Sequence, residues 1–202
     1  MVIVLLGIVA TISTQFVSFS VSGAIDVGDR QQRALKAVVI SERLSRELRQ
    51  AVPGSLEVDE SLNCLKFVPA LNGGIYREVF DSDGSTSYEP ANPPGSILVV
   101  ATPSGNLKRL DELPDPPSNS PQRRYYEVDG ATLYFWRERP AGSGKGWLYR
   151  QELTDFEETC DDMNVSDSGV LGTDISLPQN ESLFALDVPN VRRNSLVHFS
   201  LV

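Results

Sequence analysis

From Met1 to Ile25 the chain carries no charged side chain, and this run limits the folds open to it more than any other stretch. Met1 to Ile12 is apolar apart from Thr11, and Ser13, Thr14, Gln15, Ser18, Ser20 and Ser22 soften the second half without adding charge. About twenty apolar residues span a bilayer core. Charge begins at Asp26, yet helical spacing continues: Ala37, Ile40, Leu44, Leu48 and Ala51 recur on one face, and Gly28 is the only breaker before Pro53. The pattern predicts one helix from Met1 to about Ala51, roughly 75 Å long at about 1.5 Å per residue. Residues 1–25 form its apolar half, and residues 26–52 an amphipathic half whose dry face, Ala37, Ile40, Leu44, Leu48 and Ala51, packs on a following sheet. Glu42/Arg46 and Arg43/Glu47 fall four apart on the wet side. The helix stops before Pro53, because a proline pushes the preceding residue out of the helical region.

An apolar start has other uses. A secretory signal peptide would place a small-residue cleavage site at Ser22-Gly23-Ala24, and a plain single-pass anchor needs only the apolar run. Against the signal peptide, no basic residue precedes Arg30, and helical periodicity passes straight through the cleavage site. Gly7, Ala10, Ser13 and Thr14 form a small-residue face at spacings of three and four, extended by Ser18 and Ser22. Helices in lipid associate through such faces.

Residues 53–202 suffice for one β-rich globular domain. Short strands are expected at 55–59, 64–68, 75–80 and Ile97–Ala101. The strongest hairpin signal is Arg124–Val128, Asp129-Gly130 and Ala131–Glu138, since Asp-Gly suits a tight turn. Within the second strand Leu133 and Phe135 face one way, Tyr134 and Trp136 the other. Such a strand is either central or presents Tyr134 and Trp136 to a partner. A further strand, 146–153, follows a Gly-rich loop that lacks the glycine spacing of a phosphate cradle and reads as a hairpin connection. Residues 81–96 and 103–122 read as loops because prolines bar them from a central strand. Residues 184–188 and 196–201 close the pattern as two strands.

Chemistry-bearing patterns are sparse. Net charge is −9, which disfavours a nucleic-acid surface. Asp162, Asn164 and Ser166 have the every-second-residue spacing of a calcium loop, but Asp167 stands where glycine is needed and no Glu closes the loop. A solvated acidic loop around Cys160 is expected. His198, the sole histidine, has no Ser or Cys motif beside it, so no catalytic residue, metal site, cofactor or small-molecule substrate is expected. Cys64 and Cys160 are the only cysteines, with no Cys-x-x-Cys. A disulfide is their natural use outside the cytosol, and two buried thiols are the alternative.

The run Met-Val-Ile-Val-Leu-Leu-Gly-Ile-Val-Ala at residues 1–10, followed by Ser/Thr-rich apolar sequence, resembles the mature N-terminus of type IV pilins and type II secretion pseudopilins. The family's basic leader and its Phe-Thr-Leu-(Ile/Val)-Glu-Leu run do not occur in this sequence, so the resemblance places Met1 inside the helix. Its methylated Phe and assembly-directing Glu map onto no residue. Glu42-Arg-Leu-Ser-Arg-Glu-Leu-Arg-Gln-Ala-Val-Pro53 and Asn63-Cys-Leu-Lys-Phe-Val-Pro69 are similar to minor pilins of the mannose-sensitive haemagglutinin pilus, in the MshO-like class, and to J-type pseudopilins. Trp147-Leu-Tyr-Arg150 extends the likeness. The resemblance implies an α+β, pilin-like fold with a long N-terminal helix on antiparallel sheet. It also implies inner-membrane residence through residues 1–25 with a periplasmic domain, then a place in a pilus at the cell surface. Partners would be other pilin-like subunits and the pilus assembly machinery. The competing classes are an anchored periplasmic or surface adhesion module and a type II secretion pseudopilin.

Overall fold

The computed structural model describes residues 2–102, 106–113, 123–177, 182–187 and 196–199. Its class is α+β, with one long N-terminal helix and antiparallel sheets. The chain divides into two compact units, Met1–Arg43 and Leu44–Val202.

The first unit is helix throughout its described length, part of α1 (Val2–Leu48). Val4, Leu6, Ile12, Phe16, Phe19 and Ile25 are all exposed. Among the described residues no helix is long and apolar enough to cross a membrane. The side chains of Ile3, Leu5 and Ile8 lie outside the described set.

The helix ends three residues short of the sequence expectation. Gln50 N–H donates to Glu47 O at 3.0 Å and Ala51 N–H to Leu48 O at 3.2 Å, a tightened last turn. The backbone then pairs elsewhere: Val52 N–H donates to Val68 O and Ala70 N–H to Gln50 O, both at 2.8 Å. Ala51 forms a β-bridge with Pro69 and is not helical. Tertiary pairing rather than Pro53 thus sets the stop.

In the second unit, a five-stranded antiparallel sheet has the order β1 (Glu57–Asp59), β2 (Cys64–Phe67), β9 (Ala131–Glu138), β10 (Lys145–Leu153), β11 (Gly169–Ser176). A four-stranded sheet has the order β3 (Asn72–Ile75), β8 (Arg124–Val128), β6 (Ile97–Ala101), β7 (Leu107–Arg109). Two hairpins complete it, β4 (Arg77–Phe80) with β5 (Thr86–Glu89) and β12 (Phe184–Asp187) with β13 (Leu196–Phe199). The expected ends at residues 188, 200 and 201 lie outside the described residues.

The main core lies between the two large sheets. Cys64, Val68, Leu133, Phe135, Tyr149 and Leu153 from the first meet Val99 and Val128 from the second. β6 is buried on both faces, since Leu98 and Val100 join Tyr76 and Leu110 in a separate core. That double burial explains its unbroken apolar run.

Several expectations are corrected here. β8 and β9 do not form a hairpin; they belong to different sheets, and Asp129-Gly130 carries the chain from one to the other. Gly130 is required by proximity, because a Cβ there would stand 1.9 Å from Leu153 O. The single strand expected at 75–80 is broken at buried Tyr76 into β3 and β4. The proline-containing segment 81–96 includes β5, and β7 with a 3-10 turn at Leu110–Glu112 lies in the described part of 103–122, each strand at an edge as proline allows. β11 was not anticipated.

Candidate functional site

Glu47, on the last turn of α1, joins the helix to the five-stranded sheet. Its Oε2 accepts from Tyr134 Oη at 2.7 Å on β9 and from Arg150 Nε at 3.0 Å on β10, while Arg150 Nη1 also donates to Glu152 at 2.6 Å. By strand alternation Tyr134 and Arg150 occupy the face opposite Leu133 and Phe135, so the helix end lies on that outer face. Phe67 stacks on Tyr134 at 6.1 Å between ring centroids. Burial, then the Glu47 hydrogen bond, pushes the Tyr134 phenol well above the ordinary tyrosine range. For Arg150, burial acts to lower the pKa, but the hydrogen bonds to Glu152 and Glu47 outweigh it and the guanidinium is held charged.

These contacts decide between the two readings of Tyr134 and Trp136 and correct the expectation for Glu47. Tyr134 is fully buried, so Tyr134 and Trp136 are not an aromatic pair on the surface. Trp136 is half-buried, and its indole Nε1 donates to Ile175 O at 3.2 Å. β9 is the central strand of its sheet, and both its faces are covered: Leu133 and Phe135 enter the core between the sheets, and Tyr134 meets Glu47 and Phe67 on the other side. Glu47 does not belong to the wet side of the helix; its side chain is 17% exposed and takes up the phenol and guanidinium across the interface.

Of the helix face expected to pack, Ile40 and Leu44 are buried, whereas Ala37 and Leu48 are half-buried. Ala51, also half-buried, is outside the helix. Gly7, Ala10, Ser13 and Thr14 are exposed on α1, and nothing lies within 4 Å of a Cβ built on Gly7. Thr14 Oγ1 turns back onto the helix, donating to Thr11 O at 2.9 Å and Ala10 O at 3.1 Å.

Cys64 and Cys160 form a disulfide, with Cα atoms 6.1 Å apart and a sequence separation of 96. It fastens the acidic segment to β2. Asp162 Oδ2 accepts from Thr159 N at 2.8 Å, closing a capping box on a 3-10 turn, and Asn164 Oδ1 caps the next turn by accepting from Ser166 N at 3.1 Å. Buried Gln151 accepts from Asn164 N at 2.8 Å. Asp162, Asn164 and Ser166 thus serve the backbone and their own neighbours. Among the described residues no group of three His, Cys, Asp or Glu is placed to hold a metal. His198 lies on β13, exposed, with Nε2 3.2 Å from Asp187 Oδ2.

Among the described residues two clefts of the domain border residues with unusual surroundings. One, of about 320 Å³, is bordered by Tyr88, Pro90, Asn92 and Asp111. The other, of about 380 Å³, is bordered by Ser55, Lys66, Val68, Leu107 and Phe156. Lys66 was not singled out from sequence, although a lysine inside Cys64-Leu65-Lys66-Phe67, a strand buried at every position, is a visible anomaly. No protein family, curated protein or solved structure matches this chain.

Proposed function

We propose that the chain is a minor pilin-like subunit, built on a pilin-like fold, which acts by helix-mediated co-assembly with other pilin-like subunits rather than by catalysis. The observation that carries the reading is α1 itself: a helix over Val2–Leu48 whose uncharged half exposes large apolar side chains, Phe16 at 72% and Phe19 at 80% among them. Exposed apolar surface on this scale marks a site of association. The Glu47–Tyr134–Arg150 bonds support the same reading, since force carried by the helix end would pass into the central strands. In this proposal residues 1–25 reside in the inner membrane before assembly, the domain is periplasmic, and both then enter a type IV filament of the mannose-sensitive haemagglutinin type near its priming or tip end, with the pilus assembly machinery as further partner.

The test replaces Gly7 and Ala10 together by Leu, which keeps the helix apolar while blocking close approach. Filament number and cross-linking to sister subunits should fall. Unchanged filaments and cross-links would remove helix packing from the mechanism and favour an anchored adhesion module.

A further inference from the structure

Lys66 is a charged residue placed where the fold buries apolar ones. On β2 it falls in the alternation with Cys64 and Val68, toward the core between the sheets, and its side chain is only 8% exposed. Its ion-pair partner among the described residues is Glu57, directly across the strand pair, at 3.7 Å. That is beyond hydrogen-bond reach, and the Glu57 carboxylate is itself 57% exposed. An ammonium has three N–H donors, and Nζ of Lys66 is not sealed from solvent although its side chain is largely covered. None of the described residues provides Lys66 Nζ with a hydrogen bond. Yet the residue borders a cleft of about 380 Å³ that Val68, Leu107 and Phe156 also line, along with the polar side chains of Ser55, Glu57, Asn106 and Glu157.

We propose that this cleft binds a monocarboxylate with an apolar body, the carboxylate accepting from Lys66 Nζ and the body lying against Val68, Leu107 and Phe156. The charges around the cleft select this class. Glu157 also lines the cleft and shares Arg109 with Asp155 and Glu112, whereas Glu57 stays beside the ammonium. The ammonium offers its donors to one carboxylate, and the acidic groups around it repel a dianion such as phosphate more strongly than a monoanion. Two sources present the chemistry, a free organic acid and the C-terminal carboxylate of a partner polypeptide ending in an apolar residue. The inference does not rest on the assembly reading.

The experiment follows backbone amide shifts of the purified full chain in detergent micelles during titration with 3-phenylpropionate, 3-phenylpropionamide and inorganic phosphate. A saturable response at Lys66, Leu107 and Phe156 is expected for the acid, about tenfold weaker or more for the amide, as suits loss of one charge-assisted hydrogen bond. Phosphate should give none. Lys66→Met should weaken the acid by a similar factor, and Glu57→Gln, at an exposed position, should tighten it by removing the competing carboxylate. A peptide ending in Phe, compared with its C-terminal amide, separates the sources: preference for the free peptide acid assigns the site to a chain terminus, and response to the small acid alone assigns it to a free ligand. Equal response to acid and amide, weaker binding by Glu57→Gln, or no saturable response to either acid would overturn the proposal.

Discussion

Tyr134 brings together burial, a directed hydrogen bond and a displaced pKa in one side chain. Tyr134→Phe removes only the hydroxyl and leaves Glu47 its bond to Arg150, so the expected loss is about 1 kcal/mol, measured by denaturant unfolding. The Tyr134 phenol, raised chiefly by burial, favours its neutral form in the folded state. Its contribution is therefore complete below the ordinary tyrosine pKa near 10 and is lost as pH rises beyond it. Burial raises the Tyr76 phenol as well, so alkaline titration by tyrosinate absorbance should show a late step coupled to unfolding that Tyr134→Phe diminishes by one tyrosine. Gly130 fails differently. An added methyl would meet the Leu153 carbonyl at 1.9 Å, so Gly130→Ala should destabilise by more than about 2 kcal/mol, whereas Gly142→Ala, with nothing within 4 Å, meets only the strain of its positive φ.

At the scale of elements, the unequal burial along the helix end makes a graded prediction. Leu44 is 1% exposed and Leu44→Ala should cost about 2–5 kcal/mol, while half-buried Leu48→Ala should cost clearly less, both read from unfolding midpoints. Equal costs would mean that the last turn packs differently. The elements most legible in the sequence were those whose burial follows a simple period. Ile97–Ala101, buried on both faces, and Ala131–Glu138, a central strand, declared themselves by composition. The hairpin misreading at Asp129-Gly130 arose because turn chemistry describes a local bend and not the sheet that the next strand joins. β11 was hidden by Gly169, Gly172 and Asp174, the last at φ 59, and by the bulges in its pairing with β10. Of the candidate sites, the cysteine pair was readable from count alone. The Glu47–Tyr134–Arg150 bonds join residues 87 and 103 positions apart and left no local signal.

At the scale of the molecule, the disulfide closes a 96-residue separation across the second unit, joining the central sheet to the acidic segment. The chain-entropy account gives about 4–5 kcal/mol for a loop of this size, an upper value. Reduction, or Cys64→Ala with Cys160→Ala, should lower the unfolding midpoint by up to that amount. The exposed apolar length of α1 makes the other whole-molecule prediction, and it bears most directly on helix-mediated assembly. Photo-reactive residues placed singly at Phe16, Val17, Phe19 and Val21, in cells assembling filaments with the full chain, report what touches this surface. The account predicts adducts to the helices of other pilin-like subunits from some of these positions, and their loss when Gly7 and Ala10 are replaced by Leu. Adducts to lipid alone from every position would contradict it.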